Sequence, residues 1–197
     1  MLNLHTHNLS ATGDVIINLP LEAMLHPETF SLRPNAHYSA GIHPWYLDHS
    51  EQQLEALHYW LTQKQIVAIG ECGLDKTCKS PFAAQQSLFE QQLQIAVEHQ
   101  KPVILHCVHA FDALLRIVKP LLCAEAPRLT HCIVHGFRGK PALATQLLAA
   151  GLSLSFGEHF NEGSVRSCPT QRLFIETDES ALSIEEIAHR IACCQAQ

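Results

Sequence analysis

Six side chains able to bind divalent cations stand at the ends of short apolar segments. They are His5 and His7 in Leu-His-Thr-His, Glu71 in Ile-Gly-Glu-Cys, His106 in Ile-Leu-His, His135 in Ile-Val-His and Asp178 in Glu-Thr-Asp. Side chains at i and i+2 of a strand share a face, so His5 and His7 project together while Leu2, Leu4 and Thr6 face covering helices. By the same rule Glu71 shares a face with Val67 and Ile69. A carboxylate closing an apolar strand costs several kcal/mol to desolvate unless a cation meets it. Taken singly, each residue could equally cap the helix that follows. Together they place a polar group at the carboxyl end of five strands, which is where a parallel barrel gathers its mouth. Four imidazoles and two carboxylates suffice for two divalent ions, and this nitrogen and oxygen set suits Zn, Mn, Mg or Fe. Glu71, placed centrally, is positioned to bridge them.

The elements that must hold these residues alternate. Strands are expected at 2–7, 15–19, 36–42, 66–71, 102–107, 130–135, 152–156 and 172–178, and helices at 50–64, 81–100, 109–123, 140–150 and 183–194. That pattern predicts an α/β fold, a (β/α)8 barrel of TIM type. At 197 residues the chain is short for such a barrel, which typically needs about 250. The trimming shows at 8–14, too short for the usual crossover, so the first helix is expected to be reduced or missing. Residues 157–171 hold at most a short helical turn, and one helix follows the last strand. No repeat or linker divides residues 1–197, so a single domain is expected. The surface bared by a missing helix would need covering, which leaves room for a homo-oligomer.

Composition narrows the partners. A net charge of −6 with only 13 Lys and Arg argues against a broad basic face gripping duplex, and favours small or end-on substrates. No apolar run reaches the roughly 18 residues that span a bilayer. The eight scattered cysteines form no C-x2-C pair, and no secretory signal is visible, so a cytoplasmic protein with reduced thiols is expected. Of 14 histidines, His26, His49, His58, His99 and His189 fall where a surface role suffices. His43, in Gly-Ile-His-Pro-Trp, follows the third strand and could line the mouth. Glu176 shares the face of Asp178 one layer deeper and could accept from a buried imidazole.

The ordered motifs Leu-His-Thr-His, Gly-Ile-His-Pro-Trp, Ile-Gly-Glu-Cys-Gly-Leu-Asp, Leu-His-Cys, Val-His-Gly-Phe and Ile-Glu-Thr-Asp resemble the TatD-like metal-dependent hydrolases of the amidohydrolase superfamily. The resemblance covers about residues 2–178. It implies a TIM barrel with two metals that hydrolyses phosphodiester bonds, typically in DNA. On this resemblance His5, His7 and Asp178 hold one ion, His106 and His135 the other, and Glu71 bridges. The chain departs from the family where a basic residue commonly follows the fourth-motif histidine, because Val108 stands there. His109 or Arg138 could supply the missing substrate contact, arginine being suited to bidentate phosphate binding. Glu179 and Ser180 replace the proline often found after the final aspartate, and the usual C-terminal extension is largely gone.

The chemistry expected is attack by metal-activated water, with Asp178 orienting the nucleophile or taking its proton and Glu71 spanning the ions. Two other readings remain open from sequence: hydrolysis of a C–N or C–O bond such as an amide or lactone, and a catalytically idle metal-binding barrel.

Overall fold

A computed structural model describes residues 1–122, 129 and 131–196. Cys123 and Thr130, at the edges of an expected helix and strand, lie outside them. Eight parallel strands form one sheet in sequence order: β1 (Asn3–Thr6), β2 (Val15–Asn18), β3 (His37–Ala40), β4 (Ile66–Asp75), β5 (Val103–Val108), β6 (Cys132–Val134), β7 (Ser153–Phe156) and β8 (Leu173–Ile175). Seven α-helices are described: α1 (Leu21–Leu25), α2 (Ser50–Leu61), α3 (Phe82–His99), α4 (Phe111–Leu122), α5 (Pro141–Ala149), α6 (Glu162–Ser167) and α7 (Ile184–Gln195). The expected barrel is present. Its seam is closed beyond β8, where Asp178 N–H donates to the His5 carbonyl at 3.0 Å and His7 N–H to the Asp178 carbonyl at 3.3 Å. The Asn3 side chain carries the seam downward, donating to Thr177 Oγ1 at 2.9 Å and accepting from Thr177 N–H at 3.0 Å.

Local chemistry explains the helix ends. Pro141 opens α5, where a missing amide donor costs nothing. Ser183 and Glu186 form a reciprocal capping box on α7, and Gln100 closes α3 in the left-handed region at φ 52°. As expected, no helix joins β1 to β2. Strands of four residues are about 13 Å long and the loop 7–14 can reach about 26 Å, so the chain returns without one. The bared flank is covered from within: Val15 and Ile17 are buried, and Ala11, Phe30 and Leu32 pack on the same core. Arg33 ties that cover down, donating to the Ala11 carbonyl at 2.7 Å and to Tyr38 Oη at 3.4 Å. The unexpected α1 spans only five residues, too few for helical periodicity to show.

Strict alternation fails at two strands, and both failures shape the site. Leu4 does not face the helices; it packs inside the barrel with Ile16, Ala68, Ile104 and Ile133, joined by Leu2. The cause is a register shift between Asn3 and Thr6, which sets one extra residue against β2 so that Leu4 and His5 both turn inward. On β4, register shifts fall opposite Tyr38/Ser39 and between Ile69 and Cys72. Val67 therefore packs on the interior cluster, on the side to which Glu71 also turns, whereas Ile69 belongs to the outer core and, contrary to expectation, does not share their face. Gly70 takes φ 135° at the second shift, where a Cβ would strike the Ile104 carbonyl oxygen. That bulge turns Glu71 into the barrel.

Replacing Gly70 by alanine should destabilise the protein by about 2–4 kcal/mol, since strain and overpacking coincide. Gly13→Ala, at φ 91° but with open space around it, should cost only about 1 kcal/mol. Denaturant unfolding of both variants measures the difference.

Candidate metal centre

Above the apolar floor the barrel interior becomes polar: His5, Ser39, Glu71, Ser155 and Glu176 are all buried. Glu71 is 4 % exposed and each of its oxygens meets a different group of imidazoles. Oε2 lies 3.5 Å from His5 Nε2 and 3.4 Å from His7 Nε2, and Asp178 Oδ1 lies 3.7 and 3.6 Å from the same nitrogens. The two nitrogens are 3.3 Å apart. Oε1 lies 2.7 Å from His106 Nδ1 and 2.6 Å from His135 Nε2, which are 3.5 Å from each other. All six residues expected to be ligands therefore meet at the mouth.

The far side of each ring decides what its near nitrogen can do. His106 Nε2 faces Asp75 Oδ2 at 3.3 Å, and His135 Nδ1 faces Glu176 Oε1 at 3.2 Å. With those far nitrogens donating outward, His106 Nδ1 and His135 Nε2 face Glu71 Oε1 across a shared proton, which an ion would have to displace to meet a lone pair. Asp75 is fixed by Trp45 Nε1–H at 2.7 Å and by Thr77 N–H at 2.7 Å; Glu176 accepts from Gly136 N–H at 2.6 Å. His5 Nδ1 has no partner among the described residues, and its ring is held by packing against His135 at 4.6 Å. His43 differs from all of these. Trp45 N–H donates to its Nδ1 at 3.2 Å, so the hydrogen sits on Nε2, 3.3 Å from Glu71 Oε1. That makes His43 a donor into the cleft and not a lone-pair ligand.

Charge follows this geometry. Burial alone would raise the Glu71 pKa, but His135, His106 and His43 hold it well below the usual carboxylate range. Burial opposes charge on His135 too, yet Glu71 and Glu176 raise its pKa well above the ordinary value. His7 is raised chiefly by its hydrogen bond to Glu71, and His43 is lowered by burial. Burial also pushes the Cys107 and Cys132 thiols up to about 12, and all seven described cysteines are free, consistent with structural roles.

The donor atoms fit divalent ions. Ligands bound at roughly 2.0–2.2 Å around a tetrahedral ion stand about 3.3–3.6 Å apart. The imidazole–imidazole and imidazole–carboxylate distances among His5 Nε2, His7 Nε2, Glu71 Oε2 and Asp178 Oδ1 run from 3.3 to 3.7 Å, close to that spacing, whereas Glu71 Oε1 stands at hydrogen-bond distance, 2.6 to 2.7 Å, from His135 and His106. Acceptors crowded this way repel unless protons or cations lie between them. The compatible clusters include His5–His7–Asp178 and His5–Glu71–His135.

A cleft of about 330 Å³ opens over the site, lined by His7, His43, Glu71, His106, His135 and Asp178 with Trp45 and Tyr46. Arg138 is exposed in an adjoining polar cleft of about 320 Å³ that shares Asp178 and Glu179. His109 is exposed at φ 52° and lines neither cleft. His26, His49, His58, His99 and His189 are exposed, as expected. Sequence reasoning passed over Asp75 as a partner of His106, although it lies two residues beyond the glycine of Cys-Gly-Leu-Asp. It also passed over Gln85 and Gln92, seven apart on the buried stripe of α3. Gln85 Oε1 accepts from Asp75 N–H at 2.8 Å and Gln92 Oε1 from Ile42 N–H at 2.7 Å, satisfying backbone where the ladder ends. Two polar residues interrupting an apolar stripe were the available signal.

A family model described as TatD related DNase matches residues 13–184. The chain belongs to this family. It is 35 % identical over 151 residues to the 3'-5' ssDNA/RNA exonuclease TatD of Pantoea sp. (strain At-9b), a match covering 71 % of this chain and 56 % of that protein. The human 3'-5' RNA nuclease TATDN2 is 33 % identical over 150 residues, 70 % of this chain and 19 % of that one. The chain thus spans little more than half of the first of these relatives. Among solved structures, the TatD homolog YJJV from Escherichia coli K12 superposes with TM-score 0.72 at 23 % identity, covering 99 % of this chain and 94 % of the other, and so shares the fold. In this TatD-family chain no described helix is long and apolar enough to cross a membrane.

Because His135 and His7 hold protons to higher pH than free imidazoles, an ion must displace them to bind. Titration with Zn²⁺ or Mn²⁺ near neutrality should release protons, read as a dependence of binding heat on buffer ionisation, and affinity should rise with pH. Glu176→Gln should weaken ion binding about 10- to 100-fold in a competition titration.

Proposed function

We propose that this chain is a metal-dependent hydrolase of phosphodiester bonds that acts on nucleic-acid ends. The observation that carries the reading is Glu71, whose two oxygens face separate imidazole groups as a carboxylate bridging two ions must. In this reading His5, His7 and Asp178 hold one ion, His106 and His135 the other, and Glu71 both. Four imidazoles favour Zn, Mn or Fe over Mg, which prefers oxygen and keeps its waters. When bound, such ions polarise phosphoryl oxygens and lower the pKa of water to near neutrality. Asp178, about a third exposed at its side chain, orients the attacking water and takes its proton on a carboxylate oxygen. His43 offers Nε2–H to a phosphoryl or leaving oxygen. Asp75 and Glu176 keep His106 and His135 turned toward the ions. Arg138 stands ready to meet a flanking phosphate from the adjoining cleft, taking over from the basic residue that Val108 lacks.

The relatives named as 3'-5' nucleases support a nucleic-acid substrate. One observation favours hydrolysis of an uncharged amide or lactone instead: among the described residues, no Lys or Arg lines the cleft over the six residues. Two ions answer it, since they supply the positive charge a phosphodiester needs.

Ion-loaded protein should cleave single-stranded oligonucleotides from an end, lose activity on chelation and regain it with Zn²⁺ or Mn²⁺. His135→Ala should cut kcat at least about 100-fold. A panel of oligonucleotides, chromogenic phosphodiesters and lactones checks this. Cleavage of lactones alone, or identical behaviour of wild type and His135→Ala, would contradict the assignment.

A further inference from the structure

One wall of the cleft over the six residues offers ring and aliphatic faces that the chemistry above does not use, although the edge of Trp45 also holds Asp75. Leu19 and Pro20 line it from the segment joining β2 to α1, Leu21 and Met24 from α1 itself, and Trp45 and Tyr46 from the loop after β3. Trp45 is 54 % exposed and Tyr46 43 %, two of the few large apolar side chains that the described surface displays. Exposed aromatics cost solvation, and here they are held in place. Trp45 is pinned at its edge by Nε1–H donation to Asp75, and its ring stands edge-on to His43 at 4.8 Å. Buried Gln53 donates to the Tyr46 carbonyl at 2.7 Å and the Asp48 carbonyl at 2.8 Å, fixing the backbone that presents both rings. A rigid aromatic surface beside a reactive centre loses little entropy when it binds.

We propose that this wall is a nucleobase slot that receives the base of a single terminal nucleotide while its phosphate reaches the six-residue centre. The inference rests on the phosphodiesterase reading and names how its substrate is gripped. Three observations select this occupant. Among the described residues the wall carries no Lys or Arg, which suits an uncharged planar group and leaves the phosphate to the centre. Trp45 lies 6.0 Å from the His106 ring and Tyr46 5.8 Å from the His43 ring, so one ligand can touch wall and centre together. A cleft of about 330 Å³ is at the small end for ligand sites, the size of a single nucleotide. A base must leave its neighbours to enter, and stacking on an aromatic tolerates any base because each has a π face. The slot therefore selects unpaired ends without reading their sequence.

The test compares binding of 2'-deoxyadenosine 5'-monophosphate with that of 2-deoxyribose 5-phosphate, by calorimetry on ion-loaded protein, alongside end-cleavage of an oligonucleotide. The base should improve Kd by about 5- to 150-fold, the range stacking supplies per base. In Tyr46→Ser and Trp45→Ala that ratio should fall below about threefold, whereas Trp45→Phe, which keeps a face but loses the bond to Asp75, should retain most of it. Metal content and unfolding midpoint identify variants that merely fail to fold. A ratio near one in the wild type, or one unchanged in both Tyr46→Ser and Trp45→Ala, overturns the slot even if the oligonucleotide is cleaved. A base-dependent ratio without cleavage upholds the slot and overturns the nuclease reading instead.

Discussion

Glu71 carries a negative charge at a position almost closed to water, and much of the upper barrel exists to make that tolerable. A lone buried carboxylate costs several kcal/mol even after relaxation. Here one oxygen faces His5 and His7 and the other faces His106, His135 and His43. The same surroundings that hold its pKa down suit the pocket to cations, because the imidazole nitrogens that now face the carboxylate across protons become lone-pair donors when an ion displaces those protons. Asp75 and Glu176 extend the arrangement outward by fixing which nitrogen of His106 and of His135 is free.

Backbone irregularity is the means by which the fold reaches this state. A regular β4 would alternate its side chains in step, and the carboxylate could not be aimed by pattern alone. The shift at Gly70, feasible only without a Cβ, turns Glu71 inward, while Asn18 Oδ1 accepts its displaced amide at 2.8 Å. The glutamines of α3 satisfy backbone groups at the ends of the ladder in the same way. The polar cost of irregular strand ends is thus met by side chains from the covering helices, so the mouth keeps its shape where the sheet itself ends.

Trimming has been absorbed locally. With no helix after β1, residues 27–33 fold back across the flank, and Arg33 links them to the first loop and to Tyr38. At the seam, Asn3 and Asp178 stand in for ladder bonds beyond the short β8. One of these seam residues, Asp178, also belongs to the candidate metal centre. Barrel closure and the site therefore share a residue.

Residue type and order by themselves determined the alternation of strands and helices, the missing first helix and the six polar residues that meet at the mouth, although β4 runs on to Asp75 and Glu71 lies within it, not at its end as expected. Those features follow from local periodicity and from the cost of leaving a charge in an apolar strand. Tertiary structure alone decided which face each residue takes where β1 and β4 bulge, because a register shift depends on the neighbouring strand and leaves no trace in alternation. It also decided that His43 donates and does not ligate, that Asp75 serves His106, and that Trp45 and Tyr46 share a wall with the six. Each of those roles depends on contacts between segments far apart in the chain, and no spacing within one segment encodes them.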